Sequence, residues 1–190
     1  QVQPGTAFPL NWPLFLAPLK NGYLDLAWVH RHFVLLHFLA AVFMYAWCRQ
    51  VEASRFASVA AGAAFSFSGY VGTTPWPQMF HGAMWIPLVF LFFHRALERG
   101  RGAAAPANAA WCGGAVGLSL LSGHHQAPLH TLLALGGVAA WLLWTRPGER
   151  RRLGALVAVV GVVALLVGAV QLLPAWEYGV HAYRWVGTEQ

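Results

Sequence analysis

The sequence predicts an all-α fold: a polytopic bundle of about six membrane-spanning helices, preceded by a Pro/aromatic-rich interfacial loop. Three observations predict it. Apolar runs recur that approach the roughly 20 residues needed to cross a bilayer. Only 9% of residues are charged and 58% are hydrophobic, whereas a soluble domain carries roughly 25% charged residues. Nearly all arginines fall in short loops between the apolar runs. The net charge of +6 is therefore a topological signal, and nucleic acid is set aside as a partner.

Residues 1–27 hold four prolines and two glycines among Phe8, Trp12, Phe15 and Tyr23, with Lys20 and Asp25 the only charges. Proline at that density prevents a continuous span, and the aromatics suit the headgroup level. This segment is expected to lie on the membrane as an extracytoplasmic interfacial loop.

The expected bundle covers residues 28–173. Its first span, 28–48, is followed by a turn with Arg49, Glu52 and Arg55. The second, 56–72, ends in an uncharged loop rich in proline. The third, 80–97, leads to Glu98, Arg99 and Arg101. The fourth, 108–122, ends at Gly123-His124-His125, and the fifth, 126–145, at Arg146. Arg150, Arg151 and Arg152 anchor the sixth, 153–173. The second and fourth are short and rich in Gly, Ala and Ser, which predicts close packing inside the bundle. Residues 174–190 read as the start of an extracytoplasmic segment. The chain has no initiator Met and reads as a piece of a longer polytopic protein, whose remainder it needs.

The loops sort onto two sides. Arg49, Arg55, Arg95, Arg99, Arg101, Arg146 and the arginine triplet fall on one; Lys20, Arg31 and Arg184 fall on the other. The positive-inside rule makes the arginine-rich side cytoplasmic. Cys48 and Cys112 have no metal-type spacing and read as packing residues.

Six of the nine histidines collect on the other side, with Asp25, Gln78, Gln126, Gln171, Glu177 and Arg184. Polar groups at membrane depth are costly and commonly face a cavity or a substrate. Four separate loops supply these, which predicts one shared extracytoplasmic pocket. His30 and His32 read as interfacial caps. His37 and His130 read as interhelical hydrogen-bonding groups, and their unequal depth excludes a paired-histidine haem site. His81 stands between two readings, a site residue and a solvated loop. Ser122-Gly123-His124-His125-Gln126 is a tight turn presenting three polar side chains between apolar spans. Gln171 lies inside the sixth span, and Pro174 frees a backbone carbonyl near it. Glu177, His181 and Arg184 share a face of any helix that continues, either as a site or as a solvated ion pair.

The order of motifs resembles the YfhO family of bacterial membrane proteins. Phe65-Ser66-Phe67-Ser68-Gly69 is followed by a Pro/His loop, Trp85-Ile86-Pro87-Leu88, Ser122-Gly123-His124-His125-Gln126, and Gln171-Leu172-Leu173-Pro174-Ala175-Trp176-Glu177 with a later Arg184. The opening Pro9-Leu10-Asn11-Trp12-Pro13 also resembles that family's extracytoplasmic loop. The resemblance covers essentially the whole chain. It implies a GT-C-like glycosyltransferase that moves a sugar from a polyprenyl-phosphate carrier to an extracytoplasmic acceptor, a cell-wall polymer or a lipid. Glu177 and Asp25 are then the catalytic carboxylates. His81, His124, His125, Gln126, Gln171, His181 and Arg184 bind substrate, and a divalent metal is compatible with the chemistry. Two departures stand out. The family's Gly-His-Pro turn reads Gly123-His124-His125 here, and its catalytic Asp belongs to a loop expected upstream of Gln1.

Two other functions use the same features: a transporter or flippase for a lipid-linked or small anionic substrate, and a non-catalytic membrane assembly subunit. The apolar inner halves of the spans weigh against transport, which needs a polar path across the membrane.

Overall fold

The computed structural model describes residues 5–72, 77–98 and 104–181, and these are almost entirely helical. After a short α1 (Trp12–Phe15), a two-stranded hairpin pairs β1 (Leu19–Lys20) with β2 (Tyr23–Leu24). Its turn places Asn21 and Gly22 at positive φ, the conformation that an Asn-Gly pair adopts most readily. Then come α2 (Leu26–Gln50), α3 (Arg55–Ser66) and the single turn α4 (Gly69–Gly72). The remainder is α5 (Pro77–Ala83), α6 (Ile86–Leu97), α7 (Ala104–Leu120), α8 (Gln126–Thr145) and α9 (Arg150–His181).

Among the described residues four helices are long and apolar enough to cross a membrane: Leu26–Gln50, Pro77–Leu97, Gln126–Thr145 and Pro147–His181. The other two expected spans are shorter. At 1.5 Å per residue, the 12 residues of α3 reach about 18 Å, against a hydrocarbon core of about 30 Å. The 17 residues of α7 reach about 26 Å. Conversely, the 32 residues of α9 extend about 48 Å, so its last turns stand beyond one apolar layer. Pro174 lies inside α9 without ending it.

Apolar side chains cover the outside of the bundle. Val34, Leu35 and Phe38 on α2, Leu133 and Trp141 on α8, and Leu165, Leu166 and Val170 on α9 are all exposed. A surface of that kind is stable against lipid and would be a liability in water. The central element is α5–α6. Of its most apolar stretch 61% is buried, compared with 17% for α2 and 28% for the span ending at His181.

Glycines set the closest helix approaches. Gly113 and Gly117 lie one turn apart on α7 and face α9; a methyl group at Gly113 would stand 2.5 Å from the Val160 carbonyl oxygen. On α3, Gly62 lies against the Ala41 carbonyl of α2 at 2.7 Å by the same measure. The expectation of deep burial holds for α7 and not for α3. Only the stripe Ser58, Gly62 and Ser66 of α3 is buried, because a single neighbour, α2, covers it.

Residues 5–17 differ from a loop lying on the surface. Phe8 is fully buried in the main apolar cluster with Leu36, Met84 and Trp85. Asn11 holds the loop closed by donating from Nδ2 to the Gly5 carbonyl at 3.1 Å, and the Trp12 indole donates to the Thr6 carbonyl at 3.2 Å. The prolines stop a membrane helix as expected, and the segment plugs the end of the bundle instead.

At the opposite end, arginines bind helix C-termini. Arg152 donates to the Ala96 and Glu98 carbonyls at 3.2 and 3.3 Å and pairs with Glu149 at 3.2 Å. The Arg95 guanidinium donates to Gln50 Oε1 at 2.8 Å, and Gln50 donates in turn to the Glu98 carboxylate. Cations at these ends satisfy carbonyls that have no partner within the helix.

Candidate functional site

The turn between α7 and α8 forms one wall of a cleft. The chain leaves α7 through Ser122, whose N–H donates to the Ser119 carbonyl at 3.2 Å. Gly123 then takes φ +80°, a left-handed conformation that reverses the chain without a Cβ clash. This agrees with the tight turn expected there. The His124 and His125 rings stack at 5.6 Å and 12°. Burial, and secondarily the neighbouring His125, holds the His124 imidazole below its usual pKa.

The facing wall is the last part of α9. Gln171, Leu172, Ala175 and Gly179 recur at helical spacing and, with Leu120, Gly123 and His125, line a cleft of about 550 Å³. Trp176, Tyr178 and Val180 also line it. The walls are apolar, with His125, Gln171 and Tyr178 as polar groups. The small Ala175 and Gly179 keep it open.

The expected site residues therefore fall into several places. His125 and Gln171 share the cleft, while His124 and the exposed Gln126 flank it in sequence. Glu177 and His181 lie four residues apart on α9 and are exposed. Six residues beyond Gln171, Glu177 is rotated by about 240° and faces away from the cleft. Arg184 lies outside the described residues. Asp25 is the N-cap of α2, its Oδ1 accepting from the Ala27 N–H at 2.9 Å.

His81 is neither solvated nor in the cleft. It is buried, stacked on Phe8 at 4.7 Å and 10°, with His32 at 6.1 Å. Neither of its ring nitrogens has a hydrogen-bond partner among the described residues. His32 is also buried, its Nε2 paired with Asn11 Oδ1 at 3.2 Å, rather than capping at the interface. His37 bonds the Phe33 carbonyl of its own helix at 2.8 Å, so it forms an intrahelical contact. The single expected pocket is thus divided into a buried histidine cluster under Phe8 and an open cleft beside His125. The Ser122 turn separates them, since Gly82 of α5 packs against the Ser122 hydroxyl.

Tyr178 and Trp176 escaped sequence reasoning, although the spacing of Tyr178, seven residues from Gln171 on a continuing helix, places it on the same face. Among the described residues no three His, Cys, Asp or Glu side chains gather to hold a divalent metal.

The geometry of Asp25 yields a separating experiment. Asn is as good an N-cap as Asp, whereas Ala loses about 1 kcal/mol. Asp25→Asn is expected to leave the thermal midpoint of the protein unchanged, and Asp25→Ala to lower it. A large loss of activity in Asp25→Asn at unchanged stability would show that the carboxylate has a chemical role beyond the cap.

Long apolar helices around a glycine-packed core, with a polar-tipped cleft at one end, make a helical bundle compatible with a membrane protein. No protein-family model matches the chain, and no curated protein or solved structure matches it.

Proposed function

We propose that the chain is part of a bacterial inner-membrane glycosyltransferase similar to the YfhO family. In this reading it crosses the membrane six times, with the arginine-rich end cytoplasmic and the cleft extracytoplasmic. One observation carries the reading: a largely apolar cleft at the histidine-bearing end presents His125, Gln171 and Tyr178. That composition suits an amphiphile whose chain packs on apolar walls while its phosphate or sugar meets a few hydrogen-bonding groups.

The reaction is displacement at the anomeric carbon of a polyprenyl-phosphate-linked sugar. The bond from that carbon to the phosphate oxygen breaks as the acceptor oxygen bonds to it. A carboxylate takes the acceptor hydroxyl's proton, and the carrier phosphate leaves with the electron pair. His125, Gln171 and Arg184 stabilise that charge, with His124, Gln126, His81 and His181 as further binding candidates. Among the described residues no carboxylate lines the cleft. The reading therefore assigns the cleft to the carrier and leaves the base to Glu177 or Asp25.

The test is release of sugar from a polyprenyl-phosphate carrier by the intact protein reconstituted in vesicles. Transfer is expected, with His125→Ala and Gln171→Ala reducing it at least tenfold, equivalent to about 1.4 kcal/mol of transition-state binding. Absence of transfer, or full transfer by both Glu177→Gln and Arg184→Ala, would overturn the reading.

A further inference from the structure

A second cavity, of about 480 Å³, opens where arginines meet the helix C-termini. His94, Leu97 and Glu98 line it from α6, and Arg146 lines it from the C-cap of α8. The spacing 94, 97, 98 puts the three α6 residues on one face. One helix surface therefore supplies an imidazole, an apolar patch and a carboxylate, opposite a guanidinium. All four residues are half-buried.

The neighbouring arginines are engaged by the protein itself. Arg95 donates to Gln50 at 2.8 Å and Arg150 to the Leu143 carbonyl at 2.9 Å, while Arg152 holds the Ala96 and Glu98 carbonyls and Glu149. Arg146 differs, since its guanidinium has no partner among the described residues. In the same cavity wall, His94 Nδ1 is buried and also lacks a hydrogen-bond partner among them. A half-buried cation and a buried ring nitrogen are costly to leave unmatched. Together they suit an oxyanion, because the planar guanidinium grips two oxygens of a phosphate and the imidazole reaches a third.

Glu98 narrows the ligand further. Its carboxylate accepts from Gln50 and, with two oxygens, has room for another donor. A simple anion in this cavity meets repulsion from Glu98, and a simple cation meets it from Arg146. A zwitterion matches both charges. His94 and Glu98 stand one turn apart, about 6 Å along α6, a separation that an ethanolamine spacer bridges. Leu97, between them, packs against its methylenes.

We propose that this cavity binds a phosphoethanolamine group, its phosphate on Arg146 and His94 and its ammonium on Glu98. The group comes either as a soluble ester or as the headgroup of a membrane phospholipid. The site shares no residue with the cleft beside His125, so glycosyl transfer can fail while this binding stands.

The test titrates the intact detergent-purified protein with O-phosphoethanolamine and, separately, with phosphocholine, which keeps the phosphate and has no N–H donor. One equivalent of O-phosphoethanolamine is expected to bind, in preference to phosphocholine. Arg146→Gln and His94→Leu are each expected to weaken it at least tenfold, as loss of one partner of a half-buried charged contact does. Arg146→Lys keeps the charge without the planar fork and should fall between Arg146→Gln and wild type. Glu98→Gln is expected to remove the preference over phosphocholine, an effect that a purely structural role for Glu98 would not produce. Phosphatidylethanolamine in mixed micelles then competes with the soluble ester: displacement at equal concentration assigns the site to the lipid headgroup, and displacement only at large excess assigns it to the soluble ester. Absence of saturable binding by either source overturns the proposal. So does binding that Arg146→Gln and His94→Leu both leave unchanged, or equal binding of the two esters by wild-type protein.

Discussion

Gly113→Val and Gly117→Val are expected to unfold the protein at markedly lower denaturant than wild type, by about 2–3 kcal/mol each, the upper range for overpacking a close-packed site. Apolar helices gain no hydrophobic advantage from touching each other in lipid, so their association depends on close approach. Helix α7 is cut for that purpose. A methyl group at Gly117 would stand 2.5 Å from Val167 Cβ, and one at Gly113 2.9 Å from Val163 Cβ as well as close to a backbone oxygen. A backbone oxygen cannot swing aside as a flexible side chain can, so the helix axes must separate. Gly168 meets Leu120 from the other direction, extending the same seam toward the cleft. The two losses share neighbours and should sum to less than their total. Gly114 and Gly161 lie on the same helices with open space around them. Gly114→Ala and Gly161→Ala are therefore expected to be neutral or stabilising by up to about 1 kcal/mol, because Ala is the better helix former. Unfolding titrated with sodium dodecyl sulfate measures all four. Equal effects at Gly113 and Gly114 would show that α7 does not face α9 along this seam.

Phe8→Ala is expected to release the N-terminal plug while leaving the long helices folded. The ring is fully buried, lies flat on His81, and meets Trp85 edge-on at 6.3 Å and 78°. Truncating a buried Phe to Ala costs about 3–5 kcal/mol when the cavity cannot collapse. Here the lost packing is concentrated on one short segment. What remains to hold residues 5–17 is a few hydrogen bonds at Asn11 and Trp12, each worth about 1 kcal/mol. Hydrogen exchange read by mass spectrometry should therefore accelerate strongly across 5–17 and hardly change in α7 and α9. A loop resting on the membrane surface would behave differently, with unchanged exchange in both regions. Phe8→Leu, which keeps most of the apolar volume, should fall between wild type and Phe8→Ala.

Much of the architecture follows from local residue order. Continuous apolar runs produce the long helices, because a backbone in lipid must satisfy its hydrogen bonds within the segment. Gly123 marks the α7–α8 reversal for a reason visible in the sequence, since only glycine takes φ +80° freely. The Asn21-Gly22 hairpin was equally legible, and the proline density of residues 1–27 concealed it. Asp25 before an apolar helical run is an N-cap signal that reading it as a catalytic acid passed over. The lengths of α3 and α7 were less legible, because hydropathy does not register where Phe67 or Leu121 leaves helical geometry.

Which polar residues meet is another matter. His81 and Gln171 look alike in sequence, each a polar side chain near the end of an apolar run. Phe8, more than 70 positions before His81, decides that His81 is sealed in the core. Helical periodicity alone puts Gln171 and Glu177 about a third of a turn apart around α9, but it cannot say which of them faces His125. That rotation is set where Gly113, Gly117 and Gly168 allow α7 and α9 to touch, one to several turns away from the cleft. The sequence by itself determined a chain of apolar helices, several long enough to cross a membrane, because composition and periodicity act over a few neighbouring residues. The tertiary structure alone decided the buried plug, the separation of the histidine cluster from the cleft, and the outward face of Glu177. Each of these depends on contacts between segments far apart in the chain, whose close packing no local pattern encodes.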